Sequence, residues 1–248
     1  MPAWNYLLLV PAGVVAGISG SVAGLASLVS YPALLALGLP PVVANVSNTV
    51  ALVFGGIGSV SASRVELAGR ARRIVPLAVA TTVGGVIGGF LLMLAPAASF
   101  AYIVPWLIAG ASAAVLVPRR VGTRNPQRAH NVLLYGGSTL IGVYGGYFGA
   151  AAGVLLLALL LALTDDTLPQ IGASRNLLLG LSNLVASVVF ISYGTVNWLA
   201  AIPLALGFFI GGRVGPVITR KTPAGPLRIA IALAGLGLAV DLAWQAYH

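Results

Sequence analysis

Composition and the spacing of apolar runs predict an all-α polytopic membrane protein. It is read as two inverted repeats, each of four to five helical segments with a broken or re-entrant glycine-rich first element. Three observations carry this reading. First, 59% of the 248 residues are hydrophobic and 7% are charged, with a mean hydropathy of +1.02, too apolar for an ordinary soluble domain. Second, the apolar runs are separated by short breaks at 40–41, 64–73, 95–98, 118–130, 164–169, 193–198 and 216–226. Such runs suit membrane helices rather than the alternating strands of a barrel. Third, the basic residues gather in the breaks.

The opening MPAWNYLLLVPAG lacks the basic region and small-residue cleavage site of a signal peptide, so the first helix is expected to be uncleaved. No cysteine is present, which excludes disulfides and thiol-bound metal or cluster chemistry. The only histidines are His130 and His248. No metal, other cofactor or catalytic residue is expected.

A net charge of +9 would suggest nucleic acid as the partner of a soluble protein, but its placement here points to the lipid bilayer instead. Twelve of the thirteen basic residues form three clusters: Arg64, Arg70, Arg72, Arg73; Arg119, Arg120, Arg124, Arg128; and Arg213, Arg220, Lys221, Arg228. The positive-inside rule places all three in the cytoplasm of a multi-pass protein of the cell inner (plasma) membrane. The number of spans between two cytoplasmic clusters must then be even. Segments 74–94 and 99–117 satisfy this, whereas 131–163, 167–191 and 199–216 do not. A helix over 131–163 would measure about 50 Å against a hydrocarbon core of about 30 Å. Its glycine-rich middle therefore divides near 145–152, as two short spans or a re-entrant hairpin. Such backbone is tolerated at membrane depth where protein or water covers it.

The first 37 residues share this excess length and a glycine-rich centre, GVVAGISGSVAG. Gly17, Gly20 and Gly24 share the spacing of Gly142, Gly145 and Gly149, and PLA followed by GGxxG occurs at 76–88 and again at 203–215. These two blocks indicate an internal duplication. Residues 1–117 are repeat one, 118–130 a basic cytoplasmic linker and 131–248 repeat two of a single transmembrane domain. Five segments per half is an odd number, so the second copy enters from the opposite face. Trp4, Trp106, Trp198 and Trp244 are placed at outer segment ends, consistent with an aromatic belt.

Inverted repeats with helices broken near the midplane describe secondary transporters. The duplicated glycine-rich run and the PLA…GGxxG helix also resemble the TauE/SafE sulfite-exporter family, over nearly the whole chain. The resemblance implies export of small sulfur-containing anions: sulfite, sulfoacetate or related organosulfonates. Homodimer formation is left open.

The candidate substrate-binding residues lie in GASRNLLLGLSN, with Ser174, Arg175, Asn176 and Asn183, and in ANVSNTVAL, with Asn45, Ser47, Asn48 and Thr49. Arg175 is the one basic residue outside the clusters, and a charge in hydrocarbon costs about 2.5–3.5 kcal/mol on insertion scales. A guanidinium with amide and hydroxyl donors suits a sulfite or sulfonate. A structural Arg175, paired with Asp165 or Asp166 or snorkelling to the interface, stays open beside that reading. Small residues in GxxxG spacing serve close helix packing. Gly20, Gly145 and Gly146, beside the breaks, would let backbone amides approach an anion.

An anion leaving a negative interior gains about 2.3 kcal/mol per charge per 100 mV, so potential alone can drive export by alternating access. GISG at 17–20 superficially matches an intramembrane serine protease, but no histidine lies in a span to act as base, and an enzyme is not expected. The alternative is a passive anion channel or a facilitator for another small carboxylate or inorganic anion.

Overall fold

The computed structural model describes residues 3–116, 127–220 and 225–247, and every regular element among them is helical. A 3-10 helix at Ala3–Leu8 leads into α1 (Leu9–Ala23), α2 (Ala26–Ala36), α3 (Pro41–Ala62), the single turn α4 (Arg64–Leu67), α5 (Ala71–Leu94) and α6 (Ala97–Leu116). Then follow α7 (Gln127–Tyr147), α8 (Ala152–Leu163), α9 (Leu168–Tyr193), α10 (Trp198–Thr219) and α11 (Gly225–Tyr247). Tyr6–Ala23, Pro41–Ala62, Ala71–Leu94, Leu168–Tyr193 and Trp198–Thr219 are long and apolar enough to cross a bilayer. The protein is an all-α membrane protein.

Local chemistry explains where the helices start. Pro41 and Pro169 stand in the first turns of α3 and α9, where a missing N–H costs nothing. Gln170 Oε1 accepts the Thr167 N–H at 3.1 Å, and Asn197 Oδ1 accepts the Ala200 N–H at 3.1 Å to cap α10. Large apolar side chains such as Val79, Val83, Ile87 and Leu91 of α5 face outward, while small residues fill the helix seams. That is the arrangement expected where lipid supplies no hydrophobic drive between helices and close packing must hold them.

The long N-terminal run and the 131–163 run are both broken into two helices that fold back on each other as helical hairpins. Gly24 has φ 78° between α1 and α2, and Gly149 and Ala151 have φ 74° and 56° between α7 and α8. A Cβ added at Gly20 would lie 2.7 Å from the Ala26 Cβ, so α2 folds back along α1. Gly145 faces Ala152 in the same way, at 3.8 Å. The glycines sharing a place in the sequence repeat, Gly24 and Gly149, thus make the two turns.

Helix directions follow from which glycines meet. Gly13 abuts Leu204 and Gly207, Gly17 abuts Phe208 and Gly212, and Gly215 abuts Ser21, so α1 and α10 run parallel. Gly84 abuts Thr139 and Gly142, and Gly88 abuts Val143 and Tyr147, so α5 and α7 also run parallel. Between the pairs, α3 and α9 cross antiparallel, with Gly56 against Gly180 and Ser59 bonded to Asn176. Outside this core α6 packs on α11.

α7 starts at Gln127, within the segment 118–130 read as a linker, whose residues 118–126 lie outside the described residues. One expectation needs correction. Trp106 sits midway along α6 rather than at a segment end; its indole N–H donates to the Tyr247 hydroxyl of α11 at 3.0 Å.

Gly24→Ala would force a side chain into a left-handed φ with its Cβ 2.5 Å from the Gly153 carbonyl carbon. Overpacking of this kind costs roughly 1–3 kcal/mol, so thermal melting in detergent should show a clear fall. Gly110→Ala, with nothing within 4 Å of the new methyl, should melt no lower than the parent protein.

Candidate anion-binding site

The two hairpin tips meet beside α3, α9 and α10 around a cavity of about 80 Å³. One water needs about 10–15 Å³ by the same measure, so the space suits a few waters or a small ion. Glycine and alanine make most of its wall, and its polar side chains are Ser21, Ser27, Ser59, Asn176 and Asn183.

Backbone supplies the electrostatics. Ala26 and Ser27 open α2, Ala152 and Gly153 open α8, and all four line the cavity. First-turn amides have no acceptor within their own helix and carry the positive end of its dipole. Two such dipole ends bordering one space favour an anion; in α8 the Ala152 N–H is itself bonded to the Gly149 carbonyl at 3.1 Å and the Val154 N–H to the Ala151 carbonyl at 2.9 Å.

The negative ends of the hairpins border the same cavity, through Gly20, Ser21, Gly24, Gly145 and Gly149, and are satisfied by side chains. Arg175 of α9, 1% exposed, donates to the Gly20 carbonyl at 3.0 Å and to the Ser21 carbonyl in the last turn of α1. Asn45 of α3 donates to the Tyr147 carbonyl, the last residue of α7, at 2.9 Å, and the Tyr144 hydroxyl donates to the Ala150 carbonyl at 2.5 Å. Each central helix therefore caps the broken helix of the other half. A cation or donor at a helix C-terminus offsets both the unpaired carbonyls and the dipole.

The same guanidinium orients a cavity residue. Asn176 Oδ1 accepts from Arg175 Nε at 3.1 Å and Nη2 at 2.8 Å, which turns its Nδ2 to donate to Ser59 Oγ at 2.6 Å. Asn183 lines the cavity, and its side-chain amide has no protein hydrogen-bond partner among the described residues.

With the hairpins, the cavity and its capping in place, comparison with known proteins adds the lineage. The family model "Sulfite exporter TauE/SafE" matches residues 9–242. The chain belongs to the TauE/SafE family. It is 27% identical over 228 residues to "Probable membrane transporter protein" of Haemophilus influenzae, covering 89% of this chain and 88% of that one. It is also 28% identical over 242 residues to "Probable membrane transporter protein YfcA" of Escherichia coli K12, covering 94% and 87%. A third relative, "Probable membrane transporter protein ORF9" of a Sinorhizobium species, is 25% identical over 243 residues, 96% of this chain and 92% of that one. No solved structure matches. The chain is accordingly a member of a family of membrane transporters.

Of the residues expected at the site of this TauE/SafE protein, Asn176, Asn183, Gly20 and Gly145 line the cavity and the others do not. Arg175 is not among the cavity-lining residues but is bonded to Asn176, which is. It does not pair with Asp165 or Asp166; Asp166 is held by Arg70, and by Arg73 at 3.2 Å. Ser174 is buried with its hydroxyl unpaired among the described residues. Gly146 packs on Gly85. On α3, Asn48 is tied to α2 by Ser27 at 3.1 Å and Ser30 at 2.6 Å. Ser47 accepts the Asn197 N–H at 2.9 Å, and Thr49 donates to the Asn45 carbonyl at 2.9 Å. Ser21, Ser27 and Ser59 were not singled out by sequence. Ser27 could have been, because it lies three residues after Gly24, as cavity-lining Ala152 lies after Gly149.

A hydrogen bond to a charged group contributes about 1.5–3 kcal/mol, so Arg175→Ala should lower the melting temperature well below that of Asn183→Ala. Equal melting of the two variants would contradict the capping role.

Proposed function

We propose that the protein is a secondary transporter exporting small sulfur-containing anions, sulfite or an organosulfonate such as sulfoacetate, by alternating access. Its membrane is the cell inner membrane and its basic loops are cytoplasmic. The observation that carries this reading is the convergence of the α2 and α8 N-termini on one small cavity, while the last carbonyls of α1 and α7 are taken up by Arg175 and Asn45. A cavity whose wall is amides, hydroxyls and carboxamides, with no carboxylate among its lining residues, stabilises an oxyanion without a competing negative charge.

Inverted repeats fit the packing. Exchanging the halves turns the parallel seam of α1 on α10 into that of α7 on α5 and carries the antiparallel crossing of α3 and α9 into itself. A symmetric pair of hairpins around a central site is the arrangement in which one half rocks against the other to expose the site alternately. Within it Asn176 and Asn183 are assigned to contact the anion, Gly20 and Gly145 to leave room for it, and Arg175 to hold Asn176 in place. The name of the family supplies sulfite as the first substrate to try, and three oxygens on sulfite or a sulfonate match donors arriving from both hairpins.

The test is flux in proteoliposomes. Sulfite and sulfoacetate should move saturably, faster when their side is made negative, and ahead of phosphate and chloride. Asn176→Ala and Asn183→Ala should each weaken apparent affinity about tenfold, the worth of about one hydrogen bond at 1.4 kcal/mol. Unsaturable ionic current would favour the channel reading, and no flux of any of these anions would remove the substrate assignment.

A further inference from the structure

A second, smaller cavity of about 30 Å³ lies between the central one and the basic face. It shares Ser21 and Asn176 with the central cavity, so these two residues, with the Arg175 guanidinium bonded to both, form the partition. On its other side it is lined by Glu66, of α4, and Arg220, which caps the C-terminus of α10. Among the described residues, the only charged side chains lining either cavity are this pair.

The geometry of the pair is lopsided. Arg220 Nε and Nη2 both donate to Glu66 Oε1, at 2.9 and 2.5 Å, and Nη2 also donates to the Ala62 carbonyl at 3.0 Å. Glu66 Oε2 is buried without a hydrogen-bond partner among the described residues. A guanidinium fork is matched best by an oxyanion offering two oxygens side by side. Glu66 offers one. Its grip on Arg220 is thus weaker than that of a ligand whose oxygens could take both arms, and Arg220 remains 40% exposed to whatever approaches that face.

We propose that the second cavity is the entry site for the transported anion on the basic face. Arg220 is its receptor, and Glu66 is a resident carboxylate that occupies the receptor until an oxyanion with two adjacent oxygens displaces it. This rests on the reading of the central cavity as an anion site. The sequence of contacts is then Arg220, the partition at Ser21 and Asn176, and the central cavity, so an anion passes from a charged donor to neutral ones as it moves inward. Glu66 competes with the substrate for Arg220 and lowers the apparent affinity from that face only, as a fraction of the receptors is always filled from within.

Uptake of radiolabelled sulfite into inside-out membrane vesicles, with entry from the basic face, tests this. Glu66→Gln should lower KM about two- to fivefold, the worth of a half-exposed ion pair, while Arg220→Gln should raise it. Arg220→Lys, which keeps charge and loses the fork, should lie between the parent and Arg220→Gln and serves if the latter does not fold. Measured from the opposite face in right-side-out vesicles, KM should not change in any of them. A purely structural pair would shift KM in the same direction for Glu66→Gln and Arg220→Gln; that result, or no shift, would overturn the entry site while the saturable parent flux upheld the transport reading. Absence of saturable sulfite flux in the parent protein would remove both.

Discussion

A helix that stops inside a membrane leaves its last carbonyls with no water to turn to, and this structure depends on how two such ends are satisfied. Arg175 answers for α1 and Asn45 for α7, each reaching across from the central helix of the other half. The guanidinium is affordable in that position because it meets carbonyls, a carboxamide and the negative end of a dipole at once. Without the caps the hairpins would have reason to straighten or withdraw, and the cavity between their tips would go with them. The same bonds fix the rotamer of Asn176, so a single cation both anchors the backbone and sets a donor.

The glycine seams make the arrangement possible. α1 lies on α10 and α5 on α7 with backbone against backbone, so two pairs of helices occupy a width that ordinary side chains would forbid. Closeness alone would leave no room for a ligand. The cavity arises where glycines of different elements, Gly20, Gly56, Gly145 and Gly180 among them, border a common space. Packing and binding therefore draw on the same residue type, and position in the fold decides which role a glycine has.

That division explains what could be read from sequence. Helical class, the break near 145–152 and the pairing of Gly24 with Gly149 were legible, because length against bilayer thickness and repeated spacing are properties of the chain itself. Arg175 stood out for its cost, but its partners Gly20 and Ser21 are backbone carbonyls more than 150 residues away, and carbonyls carry no sequence signature. The α3 polar cluster is tied into the fold in a way the sequence does not show: Asn45, Ser47, Asn48 and Thr49 all have intramolecular acceptors or donors. Ser59 stayed hidden because a serine in a helix carries no signal of its own until its neighbour across the seam, Asn176, is known.

The smooth seams also bear on how such a chain can vary. Every glycine codon is one base from an alanine codon, and at Gly13, Gly17 or Gly85 the added methyl would meet backbone or side-chain oxygen closer than 3 Å. The lipid-facing leucines and valines, by contrast, exchange with one another at little consequence. Drift in this protein is accordingly channelled to its outer surface, and a relative with low overall identity can preserve the inner contacts unchanged.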